Sequence, residues 1–302
     1  MPDIRRTMKY QEFIKNIKEY VISQLDASHK VIIQPVMKNN SMVYDGLIVI
    51  DPILNISPTI YLNPYYHRFL EGISFEDICE DVLTAYRENL PKENFDISLF
   101  KDFEKAKHQI IIKLVNYERN KELLNDVPHV RFHDLAMIYV VAVCDFLSEF
   151  ATILIHNHHL SFWNIKPEDL YPIAIANTPV LLPYRFEPME KMLEHMEESL
   201  PDFILELPIS ILTNQIKIHG ATCMVYPGLL KEISIRLDDD LILIPSSIHE
   251  VLIIPASHVK EEYTMQDFAE MIEEVNETQL TDDEVLADHA YLYIKEEERI
   301  IF

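Results

Sequence analysis

The feature that most constrains the fold is a recurring switch between two apolar periods. "MKYQEFIKNIKEYVISQL" (8–25) sets Tyr10, Phe13, Ile14, Ile17, Tyr20 and Val21 on one face at helical spacing, with Lys and Glu opposite. "VIIQPVMKNNSMVYDGLIVI" (31–50) then reads as two strands about a polar turn. "GISFEDICEDVLTAYREN" (72–89) returns to helical spacing, with Ser74 and Asp77 three apart as in a capping box and Ile78, Val82 and Tyr86 along one side. The unit is a hairpin followed by a helix.

The same grammar recurs. "DLAMIYVVAVCDF" and "FATILIHNHHL" read as strands, followed by a helix over "KPEDLYPIAIAN" with Pro167 suited to its first turn. Farther on, "ILTNQIKIHGATCMV" overlays "VMKNNSMVYDGLIVI" so that Asn214 and Gly220 match Asn40 and Gly46, which predicts a second hairpin of the same kind. This copy is elaborated by a helix, "YPGLLKEISIRL", a strand pair, "DLILIPSSIHEVLIIP", and a helix, "TMQDFAEMIEEV", where Thr264 and Asp267 repeat the capping spacing. The expected fold class is α+β: mostly antiparallel sheet built from strand–strand–helix units, with helices packed on it. "TPVLLPYRFEP" (178–188) carries three prolines and marks the expected break between an N-terminal region, 1–178, and an acidic C-terminal region, 189–302. One continuous domain is the alternative, and residues 189–199 read as a short acidic helix.

Charge narrows the partners. The chain carries a net −24 over 302 residues, and from Glu187 onward 26 acidic residues face only 7 basic ones. Such a surface repels nucleic acid and anionic membranes, which need clustered Lys and Arg; it would steer a basic partner, and its plainer reading is that the acidity maintains solubility. No apolar run reaches the length of a membrane-spanning helix, and "MPDIRRTMKYQEF" lacks the apolar core of a secretory signal. Cys79, Cys144 and Cys223 are far apart among apolar neighbours, the pattern of reduced thiols in a cytoplasmic protein. The four glycines are isolated, which excludes the P-loop and the dinucleotide fingerprint, since both need clustered glycines for backbone amides to reach phosphates.

Two stretches invite a chemical reading. "ILIHNHHLSFW" (153–163) crowds His156, Asn157, His158 and His159 before the only tryptophan, Trp163. As a strand, it would put His156 and His158 on one face and Asn157 and His159 on the other. Zinc needs more ligands than such a pair, and the nearest supply is His133 and Asp134 on the preceding expected strand, which nothing in the spacing fixes there. The structural alternative is that Asn157 or His159 bonds backbone at a strand end, with Trp163 packed beneath. "PSSIHE" offers Ser246, Ser247, His249 and Glu250, the ingredients of acyl transfer, but without a nucleophile-elbow motif it reads first as a tight connection whose hydroxyls bond backbone. Asp238, Asp239 and Asp240 lack the spacing of a calcium loop and read as a solvated turn. Tyr61, Tyr65 and Tyr66, beside Asn63 and His67, read as packing with hydroxyls tied off.

Six segments, "PTIYLNPYY", "KLVNYERNKELL", "IHNHHLSFW", "ANTPVLLP", "ILTNQIKIHGA" and "IPSSIHEVLIIP", taken in that order, resemble a family of Firmicutes proteins common in gut clostridia and defined only as a domain of unknown function. The resemblance spans nearly the whole chain from Met8. The later two-thirds also resemble, more weakly, a second uncharacterised Bacillus-type family. Neither resemblance implies an activity or catalytic residues.

The residues therefore point to a cytosolic binding or regulatory protein that works without catalysis through protein contacts, its partner a protein and by charge a basic one. No cofactor, metal or catalytic residue is assigned. Asn157, His159, Trp163, Ser246, Ser247, His249 and Glu250 are the candidate binding residues. A hydrolase or metalloenzyme would need the 156–159 and 246–250 clusters to share one cleft. An acidic mimic of nucleic acid would need carboxylates in two rows on one exposed face.

Overall fold

A computed structural model describes residues 8–91, 94, 97–143, 150–189, 207–259 and 263–301, and the fold is α+β with every sheet pairing antiparallel. The chain forms two compact units. No helix among the described residues is long and apolar enough to cross a membrane.

The first unit holds helix α1 (Tyr10–Ser23), strands β1 (Lys30–Met37), β2 (Val43–Ile50) and β3 (Thr59–Tyr61), and helices α2 (Leu62–Leu70) and α3 (Phe75–Glu88). Its sheet runs β1-β2-β3, with Lys30 opposite Ile50 and Met37 opposite Val43, as the hairpin reading expects. Phe13, Ile14, Ile17 and Val21 of α1 are buried with Leu47 and Val49 of β2 and with Ile78, Val82 and Leu83 of α3. Burying each such side chain contributes roughly 1.5–3 kcal/mol. Ser74 starts α3 by accepting the Asp77 N–H at 3.1 Å. Of the tyrosine cluster, Tyr66 packs edge-on against Phe13 and donates to the Met8 carbonyl at 3.3 Å, while Asn63 accepts the Asp45 N–H at 2.8 Å. These groups are tied off within the unit.

The second unit takes in Asn39–Ser41, Ser98–Val143 and the chain from Phe150 onward. One sheet contains β4 (Ile110–Asn116), β5 (His129–Phe132), β6 (Leu135–Val143) and β7 (Ala151–Leu154). All nine residues of β6 are buried, because both faces of this central strand are covered, which is why it reads as one apolar run. The other sheet runs β13-β12-β10-β11-β9-β8, from β8 (Tyr184–Pro188), β9 (Ser210–Asn214), β10 (Leu241–Ile244), β11 (Val251–Pro255), β12 (Tyr291–Ile294) and β13 (Arg299–Ile301). Leu135, Met137 and Tyr139 of β6 share a core with Leu212, Leu243, Ile253 and Tyr291.

Between these strands lie the short helices α4 (Ile97–Lys101), α5 (Phe103–Ala106), α6 (Lys121–Leu124) and α7 (Asn157–Trp163), then α8 (Leu170–Leu181), α9 (Leu229–Leu237) and α10 (Met265–Gln279). Phe268 and Ile272 of α10 cover the far face of the second sheet against Ile242, Ile244 and Ile254. Helix α8 lies along β4, an edge strand. The Thr178 hydroxyl accepts the Ile112 N–H at 3.0 Å, and the Asn177 amide donates to the Ile110 and Lys107 carbonyls at 3.0 and 2.7 Å. An open strand edge is thereby satisfied by side chains of a helix.

Three expectations are corrected. The strand expected through 153–159 ends at Leu154, and Asn157 begins α7, so the histidines do not alternate across a sheet. The hairpin expected after Asn214 is absent: Gly220–Val225 is a 3-10 helix. The stretch 178–188 is not a linker; it is the last turn of α8 and strand β8, inside the second unit. By compactness the chain of the first unit runs to about residue 97. The acidic helix expected at 189–199 lies, beyond Met189, outside the described residues, as does Cys144.

Candidate functional site

The PSSIHE stretch connects β10 to β11 and forms a tight turn. The His249 N–H donates to the Ser247 hydroxyl at 3.0 Å, the local hydroxyl-to-backbone bond that the turn reading expects. Ser247 is buried and bridges to Val285, while the Ser246 carbonyl accepts the Leu286 N–H at 2.7 Å. The imidazole of His249 stacks on His219 at 5.9 Å, and its Nε2 lies 3.7 Å from a Glu284 carboxylate oxygen. Burial pushes the neighbouring Glu250 carboxyl above its ordinary range. The Ser247 hydroxyl is thus held against backbone, not against an imidazole nitrogen.

The histidine stretch is a helix start. His159 Nδ1 accepts the His156 N–H at 2.9 Å, so an imidazole takes the reciprocal place usually held by Glu in a capping box. His156 Nδ1 sits 2.6 Å from Asp126, and the Asn157 amide donates to the Asn125 carbonyl at 3.2 Å. The His158 and His159 rings are 3.9 Å apart. Burial, then the neighbouring imidazoles, push His159 down to about 4, so it is neutral at neutral pH and free to accept that bond. Trp163 packs below, its indole N–H donating to the Phe100 carbonyl at 2.8 Å. No group of three or more His, Cys, Asp or Glu among the described residues is arranged to hold a metal ion. No hydrogen bond, ion pair or ring contact of the described residues joins 156–163 to 246–250; each cluster has its own partners.

An asparagine network escapes sequence reading. Asn120, fully buried, donates to Asn40 Oδ1 at 2.9 Å and to the Asn116 carbonyl at 2.8 Å, and accepts the Asn40 N–H at 2.8 Å. Asn40 in turn donates to the Asp282 and Val285 carbonyls, and Asn116 to that of Leu286. Loop 281–289 therefore gathers 39–41, 116–120 and 246–250 around one polar seam. Asn116 and Asn120 are four apart in "NYERN", a spacing that by itself singles out nothing.

Among the described residues of this unit are a cleft and an exposed apolar stripe. The cleft has a volume of about 300 Å³. Buried Met137, Tyr226 and Leu230 line its floor, Phe132 and Tyr171 its sides, and the ion pair of Lys231 with Glu298, each about half exposed, its rim. The stripe is the outer side of α8. No charged residue occurs from Leu170 through Tyr184, and while Leu170, Ala174 and Thr178 face inward, Pro172, Ala176 and Val180 lie exposed four residues apart. Val180 is 75% exposed, and Tyr171, at the edge of the cleft, is 39% exposed. An apolar-all-round helix is normally buried on every side. Glu168 and Asp169 are exposed at its start, and Glu232 accepts the Tyr184 hydroxyl just past its end at 2.7 Å.

Comparisons with known proteins add one finding. Neither the curated proteins nor the solved structures contain a match. A family model described as a family of unknown function, DUF5688, matches residues 10–295. The chain belongs to this family of unknown function.

Proposed function

We propose that the protein is a cytosolic, non-catalytic binding or regulatory protein, and that it engages a basic protein through the outer stripe of α8. The observation that carries this reading is the exposed row Pro172, Ala176 and Val180 on a helix without charge, in a chain of net −24. An apolar centre with a charged rim is the anatomy of a protein interface. The rim here carries Glu168, Asp169 and Glu232 beside Lys166, on a chain that is strongly acidic as a whole. A basic partner is thus steered toward the stripe and held there by apolar contact. The buried thiols Cys79 and Cys223, unpaired and pushed up to about 12 by burial, accord with a reducing compartment. The polar clusters accord with the same reading, since their groups are engaged in caps, turns and the asparagine seam.

The test is capture of partners by the tagged chain at low and high salt, beside the double variant Ala176→Glu, Val180→Glu. Both positions are exposed, so the variant keeps its fold. The proposal expects a basic protein retained by wild type, weakened by salt and absent from the variant. An identical set of proteins on wild type and variant overturns the α8 surface.

A further inference from the structure

The cleft of the second unit has a property that the α8 reading does not use: its rim offers one fixed positive and one fixed negative charge above an apolar floor. Lys231 comes from α9 and Glu298 from the turn between β12 and β13, so two separate elements present the pair. Met137, Tyr226 and Leu230 give the cleft a buried apolar part, beside which the His133 imidazole also lines it; the Tyr226 hydroxyl donates away to the Leu182 carbonyl at 2.7 Å. Three residues lining the cleft have left-handed backbone: His133 at φ 56°, Gly228 at 74° and Glu298 at 50°. For His133 and Glu298 that conformation costs energy, and such residues gather at ligand clamps. A volume of about 300 Å³ lies at the small end of ligand sites.

We propose that this cleft binds a small dipolar ligand of the class of free α-amino acids with an apolar side chain, its carboxylate on Lys231 and its ammonium on Glu298. A simple anion would take Lys231 and leave Glu298 without its partner, and a simple cation would do the reverse. A zwitterion replaces both halves of the existing pair and leaves the net charge of the rim unchanged. Its side chain covers the floor, which supplies the hydrophobic part of the affinity. Because Lys231 and Glu298 are half exposed, little desolvation opposes the exchange.

The experiment is calorimetric titration of the full chain with L-phenylalanine, L-leucine and L-methionine, and with two analogues that each lack one charge. These are N-acetyl-L-phenylalanine, without the ammonium, and L-phenylalaninamide, without the carboxylate. Lys231→Met and Glu298→Gln are titrated in parallel, with unchanged melting temperature as the check on fold. The proposal expects saturable binding of L-phenylalanine, weakened about ten-fold by either analogue or either variant. It also expects Lys231→Met to cost L-phenylalaninamide little, since that analogue has no carboxylate to lose. Absence of saturable binding by all three amino acids overturns the proposal, and so does binding indifferent to both variants.

Discussion

Asn40 with Gly46 and Asn214 with Gly220 have the same letters at the same spacing, and they build different structures. At the first, Asn40 takes a left-handed turn at φ 58° and the chain returns as β2, with Gly46 between Gln34 and Tyr61. At the second, the Asn214 amide folds the chain onto itself, donating to the Ile218 carbonyl at 2.7 Å and accepting the Ile216 N–H at 3.1 Å. No strand returns, because β9 is already paired on both sides, with β11 and with β8. A hairpin needs an unoccupied edge, and that edge is decided by strands distant in sequence. Local grammar specifies a strand end; the sheet decides where the chain goes next.

The glycines should separate the two copies most strongly. A β-carbon at Gly220 would fall on the Thr213 hydroxyl and on the His249 carbonyl, and that carbonyl is backbone that cannot step aside. Gly220→Ala is expected to cost about 3 kcal/mol in denaturant unfolding. At Gly46 the obstacles are side-chain methyls, Thr59 Cγ2 at 2.6 Å and Val36 Cγ2 at 3.0 Å, so Gly46→Ala should cost about 1 kcal/mol. Trimming Thr59 to Ser should recover part of that loss; equal losses at the two glycines would break the comparison.

Next come the asparagines. Asn40→Ala removes bonds to Asn120, Asp282 and Val285 and leaves a left-handed backbone without its amide, a loss of about 2–3 kcal/mol. Asn214→Ala loses only a local loop, about 1 kcal/mol. A double-mutant cycle sharpens the contrast: Asn40→Ala should couple to Asn120→Ala by about 1 kcal/mol or more, and Asn214→Ala should add to it independently. Coupling of the same size in both cycles would mean that the seam extends to Asn214.

The smallest effect belongs to the helix start that uses imidazole in place of a Glu carboxylate. His159 lies well below the ordinary histidine value, near 4, so the unfolded chain binds its proton first as pH falls. The stability tied to neutral His159 is full above about 6.5 and is lost progressively toward 4. His159→Gln should remove that part of the slope between those limits, whereas Asn40→Ala and Asn214→Ala should leave it unchanged. Melting curves at stepped pH read this directly.

Much of the fold was legible because it rests on local periodicity. The spacing of Phe13, Ile17 and Val21 marked α1, Ser74 and Thr264 marked the starts of α3 and α10, and the apolar pairs marked β1–β2 and β10–β11. The misreadings share one cause. Whether 155–159 continues as strand depends on His159 reaching back to His156, and a proline-rich 178–188 joins a sheet because β9 offers it an edge. Of the candidate residues, the turn role of Ser247 could be inferred from its neighbours. Asn116 and Asn120 could not be singled out, because their partners, Asn40 and Leu286, lie 80 and 170 residues away.

The proposed function divides labour within the molecule: polar clusters hold the fold, and the α8 stripe is the surface proposed to meet a partner. The most direct measurement compares partner retention, at equal amounts of folded protein, by Ser247→Ala and by Val180→Glu. Ser247→Ala should lower the melting temperature with full retention, and Val180→Glu should leave the melting temperature unchanged with retention abolished. Retention lost by Ser247→Ala and kept by Val180→Glu would contradict that division.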